Sequence, residues 1–300
     1  MAVVEPAAIR PAQDRLQRSV QPIRHPAVRH QPPPIPGLNS KYRPYEYQRR
    51  AVERLLHGET ILLDHCVGAG KTLTMTVSSM EMRRLGQVRQ PWIVAPNHLV
   101  DQWAAEVRDA YPAAKILVGS DLDGFRDRQR FIGQTAVTEW DMVIVPESVF
   151  KLIGVTKETE IDYIDTRLME LREGLESAKS AGSDHTIKEI EKAIKREETK
   201  QKQLVNSKAA DTGLTFEQSG CDFIWVDEAH YYKNLARASN SADLSVVDGA
   251  QRASDLEMKA RFLRDRAFMR NIEAGRPDAP AKALAFATGP RCRTRCPSCG

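Results

Sequence analysis

The stretch that decides the fold is LLDHCVGAGKTLTM, residues 62–75, in which an apolar run leads through a glycine-containing loop into a helical pattern. Gly68 and Gly70 let backbone N–H groups wrap phosphate groups, and a helix that starts at the loop adds its positive N-terminal end. Lys71 is placed to reach β- and γ-phosphates, and the Thr72 hydroxyl is placed to bind Mg²⁺. The stretch therefore predicts a P-loop in an α/β fold and a site for a nucleoside triphosphate.

The loop departs from the full P-loop pattern at its first position, where His65 stands in place of glycine. The other positions of the pattern are present, so the departure leaves the interpretation in place. The alternative is a chance occurrence of Gly-x-Gly-Lys-Thr between a strand and a helix.

A second motif, FIWVDEAH at 223–230, is a buried strand that ends in two carboxylates. Phosphoryl transfer needs carboxylates there, with Asp227 holding Mg²⁺ and Glu228 polarising the attacking water. The Asp-Glu pair alone could be an ordinary polar strand end, but its position downstream of a P-loop favours catalysis. For His230 a structural role is the alternative, and a coupling role is the better interpretation.

Short apolar runs alternate with helical patterns from about residue 41 onward. The runs are continuous rather than alternating, which indicates strands buried on both faces in a parallel sheet covered by helices. Six segments carry this pattern: TILLD (60–64), WIVAP (92–96), KILVG (115–119), DMVIVP (141–146), DFIWVDE (222–228) and ALAFAT (283–288).

Residues 157–206 interrupt this alternation with a heptad pattern on two segments separated by SAGSD. The pattern predicts an antiparallel helical hairpin inserted into the sheet domain. Its Lys and Glu residues are best interpreted as a solvated face, and an arm that contacts a protein partner or DNA is the alternative. The seam residues are Ile161, Ile164, Leu168, Leu171, Leu175, Ile187, Ile190 and Ile194.

The composition is that of a chain of 300 residues, 41% hydrophobic, with a formal charge of +4. This charge is only mildly basic, so it does not by itself indicate nucleic-acid binding. Five cysteines, three of them bunched at the end, do not make a secreted disulfide framework. No apolar stretch is long enough for a membrane helix, and residues 1–40, rich in Pro, Arg and Gln, predict a disordered leader. We therefore expect a cytoplasmic protein without a membrane partner.

Several motifs together resemble the superfamily 2 helicases and translocases with a DEAH motif, in particular the Swi/Snf-like branch. The resemblance covers about residues 36–290, and the variant P-loop and the hairpin are most similar to large helicases of phages and mobile elements. The motifs, in family order, are YRPYEYQRRAV (42–52), HCVGAGKT (65–72), IVAPNHLVDQW (93–103), VIVPESVF (143–150), VDEAHYYKN (226–234) and ATG (287–289).

The resemblance implies a RecA-like lobe over 41–290 that binds ATP and Mg²⁺ at one edge. Gln48 would recognise adenine, and the segments 93–103 and 143–150 would contact DNA phosphates without reading sequence. The arginine-rich segment 250–273 could add to the DNA face, although a solvated helix is the better interpretation. The family also uses a second RecA-like lobe, whose arginines accelerate hydrolysis about 10³- to 10⁵-fold.

The last residues, FATGPRCRTRCPSCG at 286–300, carry Cys292, Cys296 and Cys299 among arginines. The family continues after Ala-Thr-Gly with Thr-Pro and a segment of the type Val-Ser-Asn-Ser-Leu-Ser-Glu-Leu-Trp. Deleting one base from a coding sequence for that segment yields the residues found here. We therefore expect a frameshifted tail over 291–300 and a chain truncated before the second lobe. A zinc site is the alternative, but a fourth ligand is not evident.

Taken together, the sequence predicts the ATP-binding lobe of a DNA-dependent ATPase, helicase or translocase, weakly active at best if truncated. The alternative from another class is a non-catalytic module that binds nucleotide or recruits a partner through the 157–206 hairpin. A small-molecule kinase is disfavoured by the DEAH motif and by APNHLVDQW (95–103).

Overall fold

A computed structural model describes residues 34–120, 122, 124–181, 184–206, 213–233, 235 and 251–289, with side chains omitted at 181–186. Most of the predicted leader and the predicted frameshifted tail, with its three cysteines, lie outside the described residues. The strands are β1 (Leu62–Asp64), β2 (Pro91–Ala95), β3 (Ile116–Val118), β4 (Met142–Pro146), β5 (Phe223–Val226) and β6 (Leu284–Thr288). The helices are α1 (Glu46–His57), α2 (Lys71–Arg84), α3 (Val100–Ala110), α4 (Phe125–Val137), α5 (Glu147–Phe150), α6 (Lys157–Ala181), α7 (Asp184–Asn206) and α8 (Gln251–Glu273).

The six strands form one sheet in the order β1-β6-β5-β2-β4-β3, and every neighbouring pair is parallel. All six apolar runs are strands, so the predicted parallel sheet of a RecA-like α/β fold is confirmed. The order places β6, the last strand among the residues that the structure describes, between β1 and β5. On one side of β6, Ala287 pairs with Leu63 of β1, and on the other side Phe286 pairs with Val226 of β5.

Each face of the sheet carries its own hydrophobic core because successive strand residues point to opposite faces. In β2, Ile93 and Ala95 pack on one face with residues of α1, α2 and α3, whereas Trp92 and Val94 pack on the other with residues of α4, α5 and α8. Strands covered on both faces need continuous apolar runs, which explains the sequence pattern.

Helix α8 contributes to the second core, so 250–273 is not the plain solvated helix that the sequence favoured. A contribution of its exposed face to DNA binding stays a prediction. Leu256 and Leu263 are buried in that core, and Lys259 is fully buried. Arg261 forms an ion pair with Glu170 at 2.8 Å. The arginine content indicates a surface helix, but several of these arginines form ion pairs within the domain.

Helices α6 and α7 pack against each other along the predicted seam, so the inserted hairpin is confirmed. Ile164, Leu168, Leu171 and Ile190 are buried in it. The base of the hairpin rests on α8, where the Tyr163 hydroxyl donates to Glu257 at 2.8 Å.

The described fold already includes residues before α1. The Asn39 amide donates to the Ala110 carbonyl at 2.8 Å, and Lys41 and Tyr42 both bond the Asp109 carboxylate. These contacts attach the chain to the C-terminal end of α3. None of the helices in the described part of the chain combines the length and apolar character that crossing a bilayer requires.

Candidate nucleotide-binding site

Three of the predicted motifs meet at one edge of the sheet because they follow three adjacent parallel strands. The P-loop follows β1, the segment Ala287–Gly289 lies at the end of β6, and Asp227 and Glu228 follow β5. The carboxyl ends of parallel strands share an edge, and this edge is where open α/β sheets bind ligands. Residues separated by more than 200 positions in sequence are thereby brought side by side.

The P-loop has the backbone conformation that its glycines permit. Gly68 has φ +84° and Gly70 has φ +68°, both in the left-handed region that disfavours side chains. Gly70 is also the N-terminal flanking residue of α2, so Lys71 and Thr72 form the first helical positions. The Lys71 ammonium donates to the His65 carbonyl at 3.2 Å. The loop therefore surrounds the Lys71 ammonium, the group predicted to bind the phosphates.

His65 occupies the glycine position of the pattern without backbone strain. It is not among the described residues with positive φ, so this position does not need glycine. Its ring packs edge-on against Tyr47 with centroids 5.4 Å apart. Burial, and secondarily the charge of Lys71, lowers the pKa of His65.

Gln48 connects helix α1 to the P-loop. Its side-chain nitrogen donates to the carbonyls of Ala69 at 3.3 Å and Gly70 at 3.1 Å, and its oxygen accepts from the Tyr45 amide at 2.8 Å. The Tyr47 hydroxyl also donates to the Ala69 carbonyl, at 2.9 Å. Because Gln48 is buried, these bonds fix the loop to the helix. Recognition of adenine by Gln48 stays a prediction.

Asp227 is a buried carboxylate with two hydrogen-bond donors. The Trp103 indole N–H donates to Oδ2 at 3.0 Å, and the Glu228 amide donates to Oδ1 at 2.9 Å. Burial raises the pKa of Asp227, while these two bonds and the nearby Lys71 charge act in the opposite direction. A divalent cation beside this carboxylate would offset the cost of burying it. Asp227 and Thr72 as ligands of Mg²⁺ stay a prediction.

Glu228 has an uncommon backbone conformation for its residue type. Its φ of +52° is the only positive value of a residue other than glycine in the described ranges. Strained backbone of this kind is characteristic of functional sites, where the surrounding structure holds it. The Glu228 carboxylate also lies 3.0 Å from His230 Nδ1. The arrangement fixes both the backbone and the side chain of the predicted catalytic residue.

Gly289 places the end of β6 against the P-loop. A Cβ atom at this position would lie 3.5 Å from Val67 and 3.6 Å from the Lys71 ammonium. The end of the Ala287–Gly289 segment thus lies against the P-loop.

The family follows from a direct comparison of sequences. Residues 55–272 match the family described as "Probable helicase domain". This chain belongs to that helicase-domain family. The matched region contains the P-loop, the segments 93–103 and 143–150, and the DEAH motif, so the predicted family is confirmed at this level.

One curated relative of the helicase domain is the "Defense against restriction protein B" of Escherichia phage P1. It is 22% identical over 270 residues, which cover 76% of this chain and 12% of the relative. The chain therefore spans about an eighth of the length of that relative. A phage protein as a relative agrees with the predicted resemblance to helicases of phages and mobile elements.

Two solved structures are similar to this helicase domain. The "Sulfolobus solfataricus SWI2/SNF2 ATPase core in complex with dsDNA" aligns with a TM-score of 0.41 at 10% identity, over 86% of this chain and 34% of that chain. A hypothetical ATP-dependent RNA helicase from Sulfolobus tokodaii aligns with a TM-score of 0.33 at 13% identity, over 82% and 46%.

The neighbouring part of the same sheet edge holds the segments that the sequence analysis assigned to DNA. Asn97 and His98 follow β2, and α5 follows β4. Asn97 Oδ1 accepts from the Ser148 amide at 3.3 Å, which connects the two segments. Asn97, His98 and Lys151 are exposed here. The helicase domain thus has polar, exposed groups beside the nucleotide motifs.

The structure adds residues to the site that the motifs alone did not identify. Trp103 is the last residue of the segment 93–103, to which the sequence analysis assigned no role at the nucleotide. Its bond to Asp227 joins residues 124 positions apart. Tyr47 belongs to the segment before the P-loop, and its stacking on the exposed Tyr45 ring at 5.7 Å depends on the start of α1. The only sequence signal for these residues was that aromatic side chains occur within the motifs.

Proposed function

We propose that this helicase domain is the ATP-binding lobe of a DNA-dependent ATPase that translocates on or unwinds DNA. The observation that carries the proposal is the convergence of the P-loop, Asp227–Glu228 and Ala287–Gly289 at the ends of β1, β5 and β6. The shared edge places a phosphate-binding loop beside a pair of carboxylates and the Ala-Thr-Gly segment, which is the set of groups that a nucleoside triphosphate with Mg²⁺ requires.

Each residue has a role that its contacts support. Backbone N–H groups of the loop around Gly68 and Gly70 bind phosphate oxygens, and the Lys71 ammonium moves from the His65 carbonyl to the terminal phosphates. Glu228 accepts a proton from the attacking water, and its fixed backbone keeps the carboxylate at the end of the strand. His230, 3.0 Å from that carboxylate, orients it.

Mg²⁺ would be held by Asp227 and Thr72, and when bound it would neutralise charge on the phosphate oxygens. Trp103 keeps the Asp227 carboxylate ionised and oriented by donating to Oδ2. The exposed rings of Tyr45 and Tyr47 lie beside the loop and offer an aromatic surface for the base, next to Gln48.

DNA would bind along the neighbouring edge through the segments 93–103 and 143–150. The exposed Asn97, His98 and Lys151 can contact phosphates without reading bases, as expected of a translocase. The SWI2/SNF2 ATPase core of Sulfolobus solfataricus was solved with double-stranded DNA. For this chain, duplex DNA is our proposed partner.

The test is the binding of MgATP to the purified chain, measured by titration of a fluorescent ATP analogue. Lys71→Ala should weaken binding at least about 30-fold, because the variant loses a charge-assisted contact with the phosphates of about 2 kcal/mol or more. Lys115→Ala is the matched control, since Lys115 is an exposed lysine that precedes β3. β3 and β1 are the two outermost strands of the sheet, so Lys115 lies far from the P-loop. The control should bind as the wild type does.

Equal affinities of the wild type and Lys71→Ala would contradict the proposal. They would favour the alternative, a binding module in which the 157–206 hairpin recruits a partner and the P-loop is residual. That hairpin carries 12 acidic and 10 basic residues, so its charge does not favour a nucleic acid as its partner. A protein partner on the hairpin remains compatible with an active ATP site.

A further inference from the structure

Arg252, near the start of α8, lies between the nucleotide motif and the segment proposed to contact DNA. Its guanidinium lies 5.8 Å from the centroid of the Tyr231 ring and 2.7 Å from the Glu147 carboxylate. Tyr231 comes directly after the DEAH motif, and Glu147 is the first residue of α5. The Arg252 side chain therefore contacts both the nucleotide motif's neighbour and the segment proposed to contact DNA.

The contacts continue from Tyr231 to the predicted catalytic carboxylate. The Tyr231 ring lies 4.3 Å from the His230 ring, centroid to centroid, and His230 Nδ1 lies 3.0 Å from Glu228. A change in the position of Glu228 on nucleotide binding can thus reach the Arg252 guanidinium through two packed rings. Arg252, with its side chain 36% exposed, can move in response.

On the other side, α8 is anchored to α5 at both ends of that short helix. Arg252 contacts its first residue, Glu147, and the Lys259 ammonium donates to the carbonyl of its last residue, Phe150, at 2.8 Å. Lys259 is fully buried and also pairs with Asp255 at 2.8 Å. The Lys259 contact is therefore rigid, while the Arg252 contact is the adjustable one.

Helix α5 is in turn connected to the other segment proposed to contact DNA. The Ser148 amide donates to the Asn97 side chain, which follows β2. A shift of α5 would therefore reach both segments. It would also change the environment of Glu147, whose carboxylate repels phosphate unless Arg252 neutralises it.

We infer that Arg252 couples nucleotide binding at the DEAH motif to DNA binding at α5, acting as a positioning residue and not as a catalytic one. The inference rests on the proposed function, since it assumes that MgATP binds at the P-loop and the DEAH motif and that DNA binds at the segments 93–103 and 143–150. The guanidinium lies over the Tyr231 ring and pairs with Glu147 through an N–H group, and lysine lacks the planar group that can make both contacts.

The experiment measures the dissociation constant of a fluorescent MgATP analogue with and without saturating duplex DNA of mixed sequence. The ratio of the two constants is the coupling factor, and the same factor must appear when DNA is titrated with and without nucleotide. We expect a wild-type factor of about 5 or more, and a factor close to 1 for Arg252→Ala and for Glu147→Gln. Arg252→Lys should restore less than half of the lost coupling free energy.

Arg264→Ala is the matched control, because Arg264 is an exposed arginine on the same helix. It should keep the wild-type factor. Arg252→Ala should bind the nucleotide analogue alone within about threefold of the wild type, which also shows that the variant is folded. A change in the affinity for DNA alone does not affect the comparison, since the coupling factor is a ratio.

The outcomes separate this inference from the proposed function. A wild-type factor in Arg252→Ala would overturn the inference and leave the proposed function standing, as would a wild type that binds nucleotide with no effect of DNA. Nucleotide binding lost by Arg252→Ala alone would make Arg252 part of the nucleotide site and would also overturn coupling. A wild type that binds no MgATP at all would refute the proposed function itself.

Discussion

Trp103 acts on the site through a single hydrogen bond to Asp227. A buried carboxylate must remain ionised to hold a cation, and burial raises its pKa. The indole N–H opposes that change by stabilising the charged form. If Asp227 holds Mg²⁺ as proposed, the Trp103 bond therefore favours the form of the carboxylate that binds the cation.

Replacing the indole donor tests this role. Trp103→Phe keeps an aromatic ring but removes the N–H group, so the pKa of Asp227 should rise further. The loss of MgATP binding on acidification should then begin at higher pH than in the wild type, because the charged form of Asp227 has lost a hydrogen-bond donor. Titrations of the nucleotide analogue between pH 5 and 8 measure this.

Trp140→Phe is the control, since the Trp140 indole donates to the Gln134 carbonyl at 3.1 Å and serves α4 instead. Identical pH profiles for the wild type and Trp103→Phe would show that the bond to Asp227 has no effect on the site.

Gly70 has two requirements that only glycine meets. Its φ is +68°, and a Cβ atom there would lie 2.5 Å from the Gln48 side-chain nitrogen. Gly86, just after the other end of α2, has the same φ with nothing within 4 Å of its Cβ position. Comparing the same substitution at Gly70 and at Gly86 therefore separates the free-energy cost of the backbone conformation from the cost of the steric conflict.

We expect Gly86→Ala to lower the free energy of unfolding by about 1 kcal/mol and Gly70→Ala by about 2 to 3 kcal/mol. The excess arises because the new methyl group displaces Gln48 from the Ala69 and Gly70 carbonyls. Urea unfolding measures both values. Gln48→Ala should then cost less in the Gly70→Ala background than in the wild type, and additive losses would contradict the steric explanation.

At the scale of elements, a lysine that precedes β6 caps the C-terminal end of helix α1. Lys282, just before β6, is buried and donates to the carbonyls of Leu55 and Gly58 at the end of α1. Burial lowers the pKa of Lys282 to about 8. In the unfolded chain the pKa returns to the ordinary range of lysine.

The free energy of unfolding depends on pH because Lys282 binds protons more strongly in the unfolded state than in the folded state. Between pH 8 and about 10 the unfolded state binds more protons at Lys282 than the folded state, so folding becomes more favourable as pH rises. The free energy of unfolding of the wild type, relative to Lys282→Met, should grow by about 1 to 2 kcal/mol from pH 7.5 to 9.5. Urea unfolding at the two pH values tests this, and parallel changes in both proteins would refute it.

For the whole molecule, the hairpin of α6 and α7 is a separable insertion. It packs on α8, and its ends meet where the Lys157 ammonium donates to the Val205 carbonyl at 3.2 Å. The nucleotide motifs lie at the ends of β1, β6 and β5. The insertion can therefore serve a partner without taking part in nucleotide binding.

Replacing residues 158–205 with a short Gly-Ser linker should leave the affinity for MgATP within about threefold of the wild type. The melting temperature should fall by a few degrees, because Met258 loses its contacts with the buried Tyr163, Ile164 and Leu168. Titration of the nucleotide analogue and a thermal melt measure these effects. Loss of binding in a folded variant would mean that the hairpin supports the site.

The sequence by itself determined the six strands, the P-loop, the DEAH motif and the hairpin, because each depends on periodicity or on residues adjacent in the chain. Only the tertiary structure decided the strand order, the bond from Trp103 to Asp227 and the attachment of Gln48 to the P-loop. It also showed that the arginine-rich α8 is a core helix in which Lys259 is buried. These features depend on contacts between segments distant in sequence, and the free energy of packing and of pairing buried polar groups selects them.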